Sequence, residues 1–174
     1  MPDWSTDTAL HVTLTHDGAG AYNLDGLDGF SSAEAHLAAA AEPPPAGGIA
    51  LVPCANPAGR FAIEGMIAIK VYVCQPGREE ELVQFERDTQ DRYYNFMAPV
   101  GWRYGGLCTV RSTVPELPQP FAEVYSIDAA NRVEAEALDA KTKPEPQEIL
   151  DIYEACAAYV VKGQGRWLWL GPRG

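Results

Sequence analysis

The stretch Met66 to Cys74, MIAIKVYVC, decides the fold. Ile67, Ile69, Val71 and Val73 fall on one side and Met66, Ala68, Lys70 and Tyr72 on the other, the two-residue period of a β-strand. Pro76-Gly77 ends it. From Arg78 to Met97 the period changes: Leu82, Phe85, Thr89, Tyr93 and Phe96 recur at three- and four-residue steps, which predicts an amphipathic helix stopped before Pro99. Residues 102–112 and 121–127 are rich in aromatic and β-branched side chains and are separated by Pro115, Pro118 and Pro120, so they read as two more strands. Asp128 is placed to cap a helix over 129–140. After Pro144 and Pro146, Ile149, Ile152, Tyr153, Cys156 and Val160 share one face of a further helical segment that Gly163 ends. Residues 164–170 (QGRWLWL) close the chain as a strand. The order strand, helix, strand, strand, helix, strand is the split βαβ, or ferredoxin-like, α+β arrangement.

Upstream of Gly65 the character differs, with eight acids and one base against 16 acids and 12 bases after it. Residues 1–65 therefore read as an N-terminal extension and 66–174 as the ferredoxin-like domain. In the extension, residues 9–15 (ALHVTLT) alternate as a half-buried strand. Ser31 and Ser32 offer an N-cap, with Glu34 in the first turn, for an alanine-rich helix ending before Pro43-Pro44-Pro45. Residues 48–52 and 60–63 predict short strands. Such a piece is expected to extend the sheet edge or cap a pocket, since it buries too little apolar area to fold alone.

The whole chain has 174 residues, a net charge of −11 and a pI near 4.6, which disfavours nucleic acid and anionic membrane as partners. No apolar run reaches the ~18–20 residues of a membrane helix, and the N-terminus does not read as a signal peptide, so the expected compartment is the cytoplasm. Cys54, Cys74, Cys108 and Cys156 lack metal or redox spacing and read as buried free thiols. Residues 18–29 hold no phosphate-binding glycine motif, and DGLDG is too short of ordered oxygen ligands for calcium. The expectation is an absence of cofactor and metal.

The run from Met66 to Phe85, with its alternating strand, Tyr72, Pro76-Gly77 and the acidic helix start Arg78-Glu79-Glu80-Glu81-Leu82, resembles the opening of NIPSNAP-like and antibiotic-biosynthesis-monooxygenase-like domains. The segment Ala122-Glu123-Val124-Tyr125-Ser126-Ile127-Asp128, followed by an alanine-rich helix with Arg132, resembles them again. Together the likeness spans Met66 to Leu170. It implies a dimeric α+β barrel in which two ferredoxin-like units pack their sheets face to face, with a ligand cavity between sheet and helices. Its haem-degrading members use a helix histidine that residues 78–97 do not supply. The row carrying Tyr72, Tyr125 and Trp167 or Trp169 is expected on the sheet face away from the helices, where a second copy would cover it.

First and third strands are neighbours in this topology, so Lys70 and Tyr72 come beside Glu123 and Tyr125. Such a set provides proton donors and acceptors with shiftable pKa values, or else a cross-strand ion pair with packed tyrosines. Trp102, Tyr104, Trp167 and Trp169 suit the wall of a site for a flat ligand, or a core. His11 and His16 lie in the extension and reach a cavity only if the extension folds over it. The expected function is a cofactor-independent enzyme on a flat hydrophobic small molecule, by oxygenation or proton-transfer cyclisation of a polyketide-like aromatic. Its catalytic set is Lys70, Tyr72, Glu123, Tyr125, His11 and His16. The alternative is a non-catalytic small-molecule-binding or accessory protein of the same fold.

Overall fold

The computed structural model describes residues 4–15, 24–25, 29–30, 33–54 and 61–171. Its centre is a curled, wholly antiparallel sheet built from β1 (Thr8–Leu14), β4 (Ala33–Ala39), β5 (Gly48–Pro53), β6 (Met66–Tyr72), β7 (Trp102–Ser112), β8 (Phe121–Ile127) and β9 (Arg166–Leu170). The order across the sheet is β4-β1-β5-β7-β8-β6-β9. A two-stranded ribbon, β2 (Leu24–Asp25) with β3 (Gly29–Phe30), lies against β9 through β3. The helices are α1 (Glu79–Met97), α2 (Arg132–Ala140) and α3 (Gln147–Ala157).

The strands predicted at 66–74, 102–112, 121–127 and 164–170 form, and β6 and β8 pair with Lys70 opposite Glu123. The extension contributes β1, β4 and β5 to the same sheet, joined to it where β5 pairs with β7. The alanine-rich helix is a correction: residues 33–39 are the edge strand β4, paired along its length with β1. A lone helix of that length is marginal in water, and β1 without β4 would leave a row of backbone groups unpaired. Burial in β4 follows the strand period, with Glu34 and His36 exposed and Ala35 buried between them. Residues 61–64 form no strand, and Phe61 instead packs its ring 5.3 Å from that of Trp4. The last helix stops at Ala157, and Val160 beyond it makes a single bridge to Cys74.

Alternation sorts the sheet into two faces. Ile67, Ile69 and Val71 with Leu168, Val124, Leu10 and Leu51 point to the concave side, where they are completely or almost completely enclosed. Trp4 and Phe61 close that side over a bulge in β7 between Tyr104 and Leu107. Gly106 adopts φ 90° there, and Trp4 Nε1 donates to the Gly105 carbonyl at 2.8 Å. Helices α1, α2 and α3 cover the opposite face, which carries the aromatic row. This corrects the expected arrangement: Tyr72, Tyr104, Trp102 and Tyr125 are at most 5% exposed within one chain. Among the described residues the large apolar side chains left exposed are Val133 and Leu150, both on helices, so the argument for a partner seated on the aromatic row falls away.

Candidate active site

Between the aromatic row and α1 and α3 lies a cavity of about 460 Å³, within the range of small-molecule sites. The sheet supplies Lys70 from β6, Trp102 and Tyr104 from β7, Glu123 and Tyr125 from β8, and Trp167 from β9. Helix α1 adds Phe85, Glu86, Thr89 and Tyr93, and α3 adds Ile152, Tyr153 and Cys156. These positions follow from periodicity: residues two apart on a strand share its face, and residues three or four apart on a helix share its stripe. The stripe of α1 that begins at Leu82 carries an acid at its next step, so Glu86 is buried with Leu82 and Thr89.

Tyr104 donates a 2.6 Å hydrogen bond from its hydroxyl to Glu86 Oε2, and Tyr125 donates to Glu123 Oε2 at 3.0 Å. Tyr93 lies edge-on to Tyr104 at 5.0 Å and to Tyr153 at 5.9 Å, and its hydroxyl is hydrogen-bonded with those of Tyr125 and Tyr153. Glu86, Glu123 and Cys156 each bring an oxygen or sulfur atom within 4.8 Å of the others. Burial, and then the Glu123 charge, push the Glu86 carboxyl up to about 8, against a smaller opposing pull from the Tyr104 hydrogen bond. Burial also raises Glu123, while Lys70 and Tyr125 draw it back down. The Cys156 thiol is raised by burial and by both carboxylates. Glu86, pushed up to about 8, therefore keeps its proton at neutral pH, and Lys70 is the charge that favours ionisation of Glu123.

The trio of Glu86, Glu123 and Cys156 offers three donors of the right kinds for a divalent cation. Among the described residues no histidine lines the cavity.

Of the residues singled out in the sequence, Lys70, Glu123, Tyr125, Trp102, Tyr104 and Trp167 meet in this cavity. Tyr72 lies on the same sheet face, stacked at 6.3 Å on Phe121, and its buried hydroxyl has no hydrogen-bond partner among the described residues. Trp169 stands behind the wall, stacked on Trp167 at 5.3 Å with the Arg132 guanidinium 5.2 Å over its ring. His11 is elsewhere: on β1 it faces His36 at 5.4 Å and is not part of the cavity lining. His16 lies outside the described residues. All four cysteines are free, with Cys74 and Cys108 buried and Cys54 and Cys156 half-buried. Sequence reasoning missed Glu86, and the signal was an acid interrupting the stripe between Leu82 and Thr89. Tyr93, Tyr153 and Cys156 were read correctly as inward-facing, though not as members of a site.

Comparison with protein-family models, with curated proteins and with solved structures finds no match to this chain.

Proposed function

We propose that the chain is an enzyme that transfers protons on a flat, hydrophobic small molecule of the polyketide-like aromatic kind, without a bound cofactor. The observation that carries this reading is the Glu86–Glu123 pair: two carboxyl groups close together in a tyrosine-lined cavity, with burial raising both and only Glu123 facing the opposing charge of Lys70. Glu123 is the base that removes a proton from the carbon next to a carbonyl. Glu86 is the acid that returns a proton to the oxygen or to the departing hydroxyl, so the pair ends the cycle with the same number of protons it began with. Lys70 stabilises the enolate by its charge, and Tyr125 keeps Glu123 oriented. This chemistry leads to enolisation or ring closure, and it uses the acid–base pair in a way that oxygenation does not require.

The strand order β7-β8-β6-β9, with α1 after β6 and two helices before β9, supports a ferredoxin-like unit of the kind found in NIPSNAP-like and monooxygenase-like domains. The proposal is tested by incubating the protein with linear and partly cyclised aromatic polyketide analogues and identifying products by mass spectrometry. Turnover lost in both Glu86→Gln and Glu123→Gln supports it. Binding without turnover in the wild type would instead favour a ligand-binding or accessory protein.

A further inference from the structure

The chain has four lysines, Lys70, Lys141, Lys143 and Lys162, and three of them line the one cavity just described. That concentration stands out on a protein whose net charge is −11. Lys143, at the rim, is already engaged, with its Nζ 2.7 Å from Glu145 Oε1 and 3.8 Å from Asp139 Oδ2. Lys162 is exposed in the turn between α3 and β9 and lines the mouth. Lys70 stands deeper, half-buried on β6, with its Nζ 5.9 Å from the centre of the Trp167 ring.

We propose that the molecule bound in this cavity carries an anionic group, a carboxylate or a phenolate on its aromatic frame, and that Lys162 at the mouth and Lys70 within hold that group. This rests on the cavity being the ligand site, as argued above. The carboxyl groups lining the cavity are Glu86, Glu123 and Asp139. Asp139 and Glu145 take up Lys143, which leaves Lys70 and Lys162 as the two cations facing the Glu86–Glu123 pair, so the inner part of the cavity offers positive charge to a ligand although the molecule is strongly negative. Low-dielectric walls focus such a field into a cleft, which draws in an anion and repels a cation. The neutral wall suits the rest of the ligand: Trp167, backed by Trp169, and Trp102 present flat apolar surface beside the cations. An anion seated at Lys70 also comes within reach of the Glu86–Glu123 pair, which places the reacting carbon of a hydroxy-aromatic acid near its proton donor and acceptor.

The test is calorimetric titration of the full chain with 1-hydroxy-2-naphthoate and, separately, with its methyl ester, at low and at high salt. The acid is expected to bind at least about tenfold more tightly than the ester, equivalent to about 1.4 kcal/mol. This preference should shrink as salt rises. Lys162→Gln should remove most of it, and Lys162→Arg should retain it. Equal binding of acid and ester overturns the anion assignment while leaving the cavity as a ligand site. Failure of both probes to bind overturns the cavity reading as well. A preference unchanged in Lys162→Gln overturns the role given to that lysine.

Discussion

Glu86 on α1 and Glu123 on β8 bring their carboxyl oxygens within 4.8 Å of each other, each held from one side by a tyrosine hydroxyl. Both are displaced from their ordinary pKa range by the same cause, burial, and the charge on one raises the other. The pair is therefore a single titrating unit that keeps a proton where an isolated surface glutamate has lost it.

This unit gives folding stability a defined dependence on pH. Glu86 holds its proton up to about 8 in the folded state, against 4.5 for an ordinary glutamate. Between those values the folded chain binds one more proton than the unfolded chain, so the contribution of Glu86 to stability is fully present below 4.5 and declines as pH rises through about 8. Glu86→Gln carries a permanent neutral amide and should escape this loss. Urea unfolding at mildly acidic and at mildly alkaline pH should show the variant gaining a few kcal/mol on the wild type across that window. A constant difference at every pH contradicts the assignment.

Tyr104→Phe removes the 2.6 Å hydrogen bond to Glu86 and leaves the ring packing in place. Loss of a buried hydrogen bond to an ionisable group costs about 1–3 kcal/mol. Because that bond draws the Glu86 pKa down, the variant should titrate at higher pH than the wild type. A fall in the apparent pKa would mean that Tyr104 acts on Glu86 in the opposite sense.

Glu123→Gln should move Glu86 the other way. The charge on Glu123 is the second cause of the raised Glu86 pKa, so neutralising it returns Glu86 toward, though not to, its ordinary range. Lys70 is only half-buried and lies near the Trp167 ring, so its ammonium is not left stranded in the core. The stability cost is accordingly expected to stay below the 3–5 kcal/mol typical of a broken, fully buried ion pair. Chemical denaturation of the variant measures the cost, and its pH titration measures the shift.

On the concave side of the sheet, Gly105→Ala tests how closely the chain fills the half-barrel. A Cβ there would lie 2.8 Å from Phe61 Cζ and 3.0 Å from the Val124 carbonyl oxygen. Overpacking of this kind costs about 1–3 kcal/mol. Adding Phe61→Leu to the Gly105→Ala chain should recover part of the loss, because the backbone oxygen cannot withdraw but the ring can. A Gly105→Ala chain as stable as the wild type would mean that Phe61 does not rest on the bulge.

The strands of residues 66–72, 102–112 and 121–127 are legible because alternation is local, and the Lys70–Glu123 pairing follows from their order. The strand at 33–39 is not legible in the same way. Its alanines favour helix by intrinsic propensity, while the reason for extended backbone is the unpaired edge of β1, some twenty residues away in sequence. Which face receives the helices is also hidden, because both faces of the sheet are apolar enough to be buried and only the curl decides which encloses Ile67 and Ile69. Half of the acid–base pair is visible from strand order, through Glu123. The other half sits on α1, where an acid on the inward stripe reads as an interruption of the pattern until Tyr104 and Glu123 are seen beneath it.

The most direct test of the shared proton is a carbon-13 NMR titration of the full chain labelled at the glutamate side-chain carboxyl carbon. One resonance, missing from the spectrum of Glu86→Gln, should titrate near pH 8 in the wild type and move to lower pH in Glu123→Gln. If every glutamate resonance titrates around the ordinary 4.5, Glu86 is ionised at neutral pH and the proton-sharing pair does not exist.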